Sequence, residues 1–407
     1  MFNEGTMTMK NIAVFTGTRA EYGILYPLLK ALDAHAELNL QLIVSAMHLS
    51  PEFGCTVKDI VNDGFEIAEK VEMLLSSNTA VGCAKSVGVG MISFADSLNR
   101  LRPDILVVLG DRFEALAIAQ TAMLLTIPVA HLHGGEITKG AKDDAIRHAI
   151  TKLSNLHFTA NQAYSNRVIQ LGEAPESVHC VGSLGLENIT KCSSLLSKSE
   201  LQQQLNFDLG EKYFLLTYHS ATLAEENPVT TFKAIFAALA KYPAYKILVT
   251  YPNADEGGRD IISLIMQLAE QFPERIVAIR TLGFLKYFSA LKYAAAVIGN
   301  SSSGIIEVPA FNIPSINIGQ RQQGRMAAAS VIHCSAKQTD IEDALQRVDD
   351  GDVDLTGSNP YALPLSNKYK AQFTSDRIVE LLLAGKFSTQ KSFYDLPFSV
   401  ESSQKAE

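Results

Sequence analysis

No C-x-x-C pair occurs in this 407-residue chain, and its five cysteines (Cys55, Cys83, Cys180, Cys192 and Cys334) lie scattered. That pattern excludes a zinc ribbon or a disulfide framework and points to reduced thiols in a cytoplasmic protein. A basic excess is also missing. The formal net charge is −8, so the positive face of a nucleic-acid binder is not expected. A phosphorylated small molecule is not excluded, because a few placed arginines, histidines and helix N-termini can hold one. The opening MFNEGTMTMK has no apolar run of the signal-peptide kind; Met1 to Met9 reads as a loose leader, with Met7 or Met9 as a natural start. The longest charge-free stretch, Ala115 to His131, contains Gln120, two threonines and Pro128. It reads as a core helix plus a strand, and no membrane span is expected. No G-x-G-x-x-G, P-loop or G-x-S-x-G pattern appears, so no dinucleotide cofactor is inferred.

Apolar residues make up 47% and charged residues 19%, an ordinary globular balance. The length is too great for one core and predicts two domains. The stretch from Asp104 to Lys152 organises the rest. Ile105 to Leu109 is a continuous apolar run, read as a strand buried on both faces. A helix is predicted over Phe113 to Leu125, a second buried strand over Ile127 to Leu132, and another helix from Asp143. Similar alternation starts at Asn11 to Thr16, with a helix over Tyr22 to Ala34 and a strand over Leu38 to Ala46. After Lys70 a Gly/Ser-rich segment reads as a flexible loop entering a helix that ends near Leu101. A linker carrying one helix is expected over Leu184 to Leu209. Alternation then resumes from Tyr213 to Ile318, including a helix over Gly304 to Phe311. The predicted fold is α/β, with two Rossmann-like doubly wound domains facing across a cleft. The expected bounds are 1–182, 183–375, and a C-terminal helix with tail over 376–407, the last twenty residues loosely held.

In such sheets ligands bind at the carboxyl ends of the strands, and that is where the polar residues gather. The turn GTRAEYG, with Arg19 and Gly23, presents backbone N–H groups and a fixed charge to an anion, or is an ordinary turn with a surface arginine. In NSSSG, Ser301, Ser302 and Ser303 open a helix and read as a diphosphate cradle, although serine is also a common cap. Glu307 suits a ribose diol or complements the helix dipole. Arg321 is a phosphate contact or a surface residue. His219 and Asn253 each follow a buried strand on the cleft side. Asp111, His133, Glu136, Asp143 and Asp144 crowd together, as moving a proton on a sugar carbon requires: a base and an acid with shifted pKa values. The plainer reading has Asp143 and Asp144 as helix N-terminal charges pairing with Arg147 and His148 at i+4. His131 and His133 have chelating spacing, but no third ligand does, so a metal ranks low.

GDRFEALA, HLHGGEITKGAKDDAIRHAITKLSNLHF, GTRAEYG and GNSSSGIIEVPAF together resemble the hydrolysing UDP-N-acetylglucosamine 2-epimerases of bacterial sialic-acid pathways and of the bifunctional animal enzyme. The likeness runs from about Asn11 to Ala384, four motifs in order. It implies a GT-B-like fold, UDP in the interdomain cleft, no cofactor or metal, a UDP-sugar as partner, and a homo-oligomer, dimer or tetramer. It implies elimination of UDP across C1–C2 to a 2-acetamidoglucal, then hydration to free N-acetylmannosamine. Non-hydrolysing relatives carry an HVEAGLRTG-like stretch where this chain has HLHGGEITKG. Nucleotide and substrate contacts carried over are Arg19, Gly23, Arg112, Asp144, Arg147, His219, Asn253, Ser301, Ser302, Ser303, Glu307 and Arg321. Asp111 and Asp143 are the implied catalytic carboxylates, with His219 a further acid. Several relatives have a glutamate at His133 (HIEGGE), so the acid/base role falls to His133 or to Glu136. A UDP-2,4-diacetamido-2,4,6-trideoxyglucose 2-epimerase, a GT-B glycosyltransferase and a non-catalytic UDP-sugar sensor are the other readings.

Overall fold

The computed structural model describes residues 9–77, 79–139, 141–191, 194–220, 227–252, 257–363 and 372–397. Its first sheet holds β1 (Lys10–Thr16), β2 (Leu38–Ser45), β3 (Ile67–Val71), β4 (Ile105–Leu109), β5 (Val129–Leu132), β6 (Leu156–Thr159) and β7 (Val178–Cys180). All pairs are parallel, in the order β3-β2-β1-β4-β5-β6-β7. The crossovers are α1 (Arg19–Asp33), α2 (Val57–Asn62), α3 (Ala80–Leu101), α4 (Phe113–Leu124), α5 (Lys142–Leu153) and α6 (Gln162–Gln170). Successive side chains point to opposite faces of a strand, and β1 shows the result. Ile12 and Val14 join the α1 side with Leu25, Leu28 and Leu32. Ala13 and Phe15 join Phe94 of α3 and Ile118 of α4 on the other face. Both faces are dry, as a parallel sheet requires.

Helices α7 (Leu184–Lys191) and α8 (Lys198–Leu205) occupy the expected linker, which therefore holds two helices. Leu184 of α7 still belongs to the first core, whereas Leu201 and Leu205 of α8 enter the second. The second sheet is formed by β8 (Tyr213–Thr217), β9 (Lys246–Thr250), β10 (Ile276–Ile279), β11 (Ala296–Gly299), β12 (Ser315–Ile318) and β13 (Val331–Cys334). It is parallel in the order β10-β9-β8-β11-β12-β13. Its helices are α9 (Pro228–Leu239), α10 (Gly258–Gln271), α11 (Gly283–Tyr293), α12 (Ser303–Ile306) and α13 (Gln338–Asp349), and α14 (Thr374–Ala384) follows.

Four expectations are corrected. β13 has no predicted counterpart, because four residues with His333 exposed at one end carry no readable period. A loop does enter a helix that ends at Leu101, as expected, but the glycines after Lys70 lie inside that helix and not in the loop. A Cβ at Gly90 would lie 2.8 Å from Met73 Cε and 3.3 Å from Ala117 Cβ, so glycine lets α3 approach its neighbours. The helix over Gly304 to Phe311 is one α turn, α12, followed by a 3₁₀ turn over Val308–Phe311 that contains Pro309, a residue that cannot donate to an α ladder. The tail is also docked as far as it is described. α14 returns to the first lobe through Ile378, Val379 and Leu382, and Lys10 Nζ caps its last carbonyls at Leu382, Leu383 and Gly385. Lys391 then donates to Ser154 O at 2.7 Å and to Glu173.

Candidate active site

In each sheet the strand order reverses at one point, between β1 and β4 and between β8 and β11. Loops diverge there and leave a crevice. The two crevices face each other around a cavity of about 530 Å³. Thr18, Arg19 and Gly23 line it from the first lobe; His219, Ser301, Ser302, Ser303 and Glu307 line it from the second. Ile24, Phe53, Ile262, Met266 and Phe284 are among its apolar lining. Hydroxyls and a cation set among apolar walls suit a charged group linked to a flat ring.

Arg19 opens α1, and Thr18 caps that helix by accepting from Glu21 N at 3.2 Å. The Glu21 carboxylate accepts from Gly17 N at 2.9 Å, fixing the turn that carries the arginine. Arg19 Nε lies 3.2 Å from Asp59 Oδ2, while the buried Nη1 has no hydrogen-bond partner among the described residues. A buried donor left unpaired is costly, which favours an anion here. On the opposite lobe, His219 N donates to Asn300 Oδ1 at 2.7 Å and Asn300 Nδ2 returns a bond to His219 O at 2.8 Å. The pair ties the loops after β8 and β11 together. Only glycine fits at the end of β11, since Gly299 has φ +136° and a Cβ would fall 1.8 Å from Thr217 O. The Ser303 hydroxyl is engaged by Tyr287 at 2.5 Å. With α12 a single turn, the helix dipole is weaker than the sequence implied. Burial pushes the Glu307 carboxyl above its ordinary value.

None of Asp111, His133, Glu136, Asp143, Asp144 and Arg321 lines this cavity; the acidic cluster reaches its wall through hydrogen bonds. Asp143 Oδ2 accepts from Arg321 at 3.2 Å, and Arg321 Nη1 donates to Asn300 O at 3.0 Å. A continuous chain therefore runs from Asp143 through Arg321 and Asn300 to His219. The expected helix-face pairing holds for Asp144, which lies 3.7 Å from His148 Nε2 and 3.6 Å from Arg147 Nη1, whereas the ion pair of Asp143 reaches Arg321. Arg147, 1% exposed, bonds Asp111, Glu136 O (3.0 Å) and Thr138 Oγ1 (2.6 Å), so its guanidinium is bound up inside the first lobe. Asp144 accepts from Thr138 N at 2.6 Å and shapes the same loop. Arg112 forms a bidentate pair with buried Glu114. Asn253 lies outside the described residues. Neither Arg112 nor Arg147 lines the cavity.

His133 directly follows β5 with φ +62°, an uncommon backbone state that costs energy for a side chain of this size. Its Nδ1 lies 2.6 Å from Glu136 Oε1, while the buried Nε2 has no partner among the described residues. The imidazole is close enough to Glu307 for its charge to act on that carboxyl. His131 is different. Thr151 Oγ1 at 3.1 Å and Gly110 O at 2.7 Å occupy both its nitrogens, and burial lowers its pKa to about 3. It is a satisfied core histidine. Sequence reasoning missed Arg325, whose Nη1 lies 2.5 Å from Glu136 Oε2. Burial opposes ionisation of Glu136, but Arg325 and His133 outweigh it and hold the carboxyl below its ordinary value. Asn300 and the buried carboxylates Glu21 and Glu114 were missed as well. Only the bracketing motifs GNSSSG, GTRAEYG and GDRFEALA signalled them.

Two doubly wound lobes with a cavity at paired switch points define a GT-B-like α/β fold. The solved structure of a UDP-GlcNAc 2-epimerase from Neisseria meningitidis bound to UDP-GlcNAc shares this fold, with TM-score 0.74 at 18% identity over 93% of this chain and 100% of that one. A sequence profile for UDP-N-acetylglucosamine 2-epimerases matches residues 30–383. Over 84% of this chain and 88% of the relative, the sequence is 37% identical to the hydrolysing GDP/UDP-N,N'-diacetylbacillosamine 2-epimerase of Campylobacter jejuni. It is 33% identical to the UDP-N-acetylglucosamine 2-epimerase of Neisseria meningitidis, over 83% and 87% of the two chains. The chain belongs to the UDP-N-acetylglucosamine 2-epimerase family. Among the described residues, no helix is long and apolar enough to cross a membrane.

Proposed function

We propose that this chain is a hydrolysing UDP-sugar 2-epimerase that converts UDP-N-acetylglucosamine and water to UDP and free N-acetylmannosamine. The observation that carries the reading is the chain Asp143–Arg321–Asn300–His219, which couples the acidic cluster to the cavity wall. The diphosphate lies against Arg19, Ser301, Ser302 and Arg321, and the ribose against Glu307. His133, oriented by Glu136, takes the C2 proton on Nε2. The C1–O bond breaks with its electron pair going to the β-phosphate of UDP, and a C1=C2 bond forms. Water then adds its hydroxyl to C1, and C2 receives a proton on the face opposite to the one that lost it. Asp111 and Asp143 are assigned to that side.

A second reading, the UDP-linked 2,4-diacetamido-2,4,6-trideoxy sugar as substrate, is favoured by the name of the 37% identical relative. Proton NMR in D2O with each UDP-sugar separates the two. The expected result is free N-acetylmannosamine carrying deuterium at C2, with stoichiometric UDP. Product that keeps its C2 proton, or intact substrate, contradicts the mechanism. Free sugar formed without an acceptor excludes a glycosyltransferase.

A further inference from the structure

We propose that Arg325 is a positioning residue for the C2 proton transfer: it reaches across from the second lobe and holds Glu136 against His133, so the acid/base is complete only when the lobes are together. This rests on His133 being the acid/base, as assigned above. Arg325 follows β12, whereas Glu136 follows β5. Its Nη1 lies 2.5 Å from Glu136 Oε2, Nε donates to Ile137 O at 3.2 Å, and Nη2 reaches Thr138 Oγ1 at 3.4 Å. The whole first-lobe loop is therefore gripped by one planar fork, a geometry lysine cannot copy. Glu136 and Arg325 are almost fully buried, at 2% and 5% side-chain exposure. Leaving either partner alone there is strongly unfavourable. Glu136 divides its oxygens, Oε2 to Arg325 and Oε1 to His133 Nδ1. That leaves His133 Nε2 as the buried ring nitrogen without a partner among the described residues.

Other charged and titratable groups surround this cluster, among them Asp143 near Arg325, Glu307 near His133 and Arg325, and Arg167, which donates to Gly135 O. His131 on β5 is held neutral by burial, and Tyr164 on α6 and Tyr361 bond each other at 2.7 Å. Arg147 on α5 addresses the Glu136 carbonyl. Arg325 is thus the nearest cation to the carboxylate from outside its own loop. Without it, burial dominates and the Glu136 carboxyl rises.

The test is the pH dependence of kcat for UDP release, measured on the wild type, Arg325→Gln and Arg325→Lys, with UDP affinity by calorimetry. Arg325→Gln is expected to lower kcat by about ten- to a hundredfold, part of what a placed acid/base contributes. Its acidic limb is expected to move up by about one pH unit or more, because the opposite charge that depressed the carboxyl is gone. UDP affinity stays unchanged. Arg325→Lys keeps the charge and therefore the wild-type limb, with kcat between the other two. A fallen kcat with an unmoved limb in the Gln variant, or loss confined to KM, overturns the proposal. If the Gln variant does not fold, a shifted limb in the Lys variant overturns it and an unshifted one supports it. A wild type that releases no UDP from either UDP-sugar instead removes the reading on which the proposal rests.

Discussion

Replacing Glu21 with glutamine is expected to flatten the pH dependence of stability between pH 5 and pH 8. The carboxyl is buried behind the turn that carries Arg19, close to the Glu114 charge, and the Arg112 guanidinium that acts on it is already paired with Glu114. Burial first, then Glu114, raises its pKa from 4.5 to about 7. A carboxyl whose folded pKa is raised binds its proton more tightly in the folded state than in the unfolded one. Stability therefore falls as pH rises from the unfolded value through the folded one, which sets a window of about pH 4.5 to 7. At 1.36 kcal/mol per unit, most of the shift of about 2.5 units lies between pH 5 and 8, a loss of about 2–3 kcal/mol. Glutamine cannot ionise, yet its carbonyl can still accept from Gly17 N. Urea unfolding of both proteins at pH 5, 6, 7 and 8 measures the effect. The wild type should lose about 2–3 kcal/mol more than the variant across that range. Parallel pH profiles would refute the reasoning, because Glu21 would then titrate like an exposed carboxyl.

Asp111→Asn is expected to abolish turnover while leaving UDP affinity unchanged. It should also cost about 3 kcal/mol of stability, because the buried Arg147 loses the nearer of its carboxylate partners Asp111 and Asp144; equal loss of UDP binding and turnover would reduce Asp111 to a structural role. Lys391→Met removes one of two lysines paired with Glu173, the other being Lys152; His157, whose pKa burial lowers, bonds the same carboxylate as a neutral ring. The expected cost is about 1–3 kcal/mol at pH 7. The Glu173 carboxyl is held down at about 2, so its stabilisation is present above its ordinary pKa and lost as pH falls towards 2. A change within about 0.5 kcal/mol would mean the tail is not docked.

The strands were the most readable part of this protein. Ile105 to Leu109 and Tyr213 to Thr217 are apolar runs bounded by breakers, and the structure places both at sheet centres. Such runs can be buried only between two helix layers, so local composition was enough. The cavity residues Arg19, His219 and Ser301 were readable for the same reason, since each closely follows a buried strand or opens the helix after one. Partners were not. Asp143 looks like a helix N-terminal charge for Arg147, but its ion pair is with Arg321, 178 residues away. Glu136 and Arg325 meet only because two sheets fold with their reversal points facing each other. The tail looked loose because Lys391 and Phe393 have no periodic pattern; their anchors, Glu173 and the Lys152 side chain, lie on another lobe surface. Amino-acid order therefore determined which segments must be buried and which turns carry polar groups. Tertiary structure alone decided which charge answers which, because an ion pair depends on distance in space and a sequence records only distance along the chain.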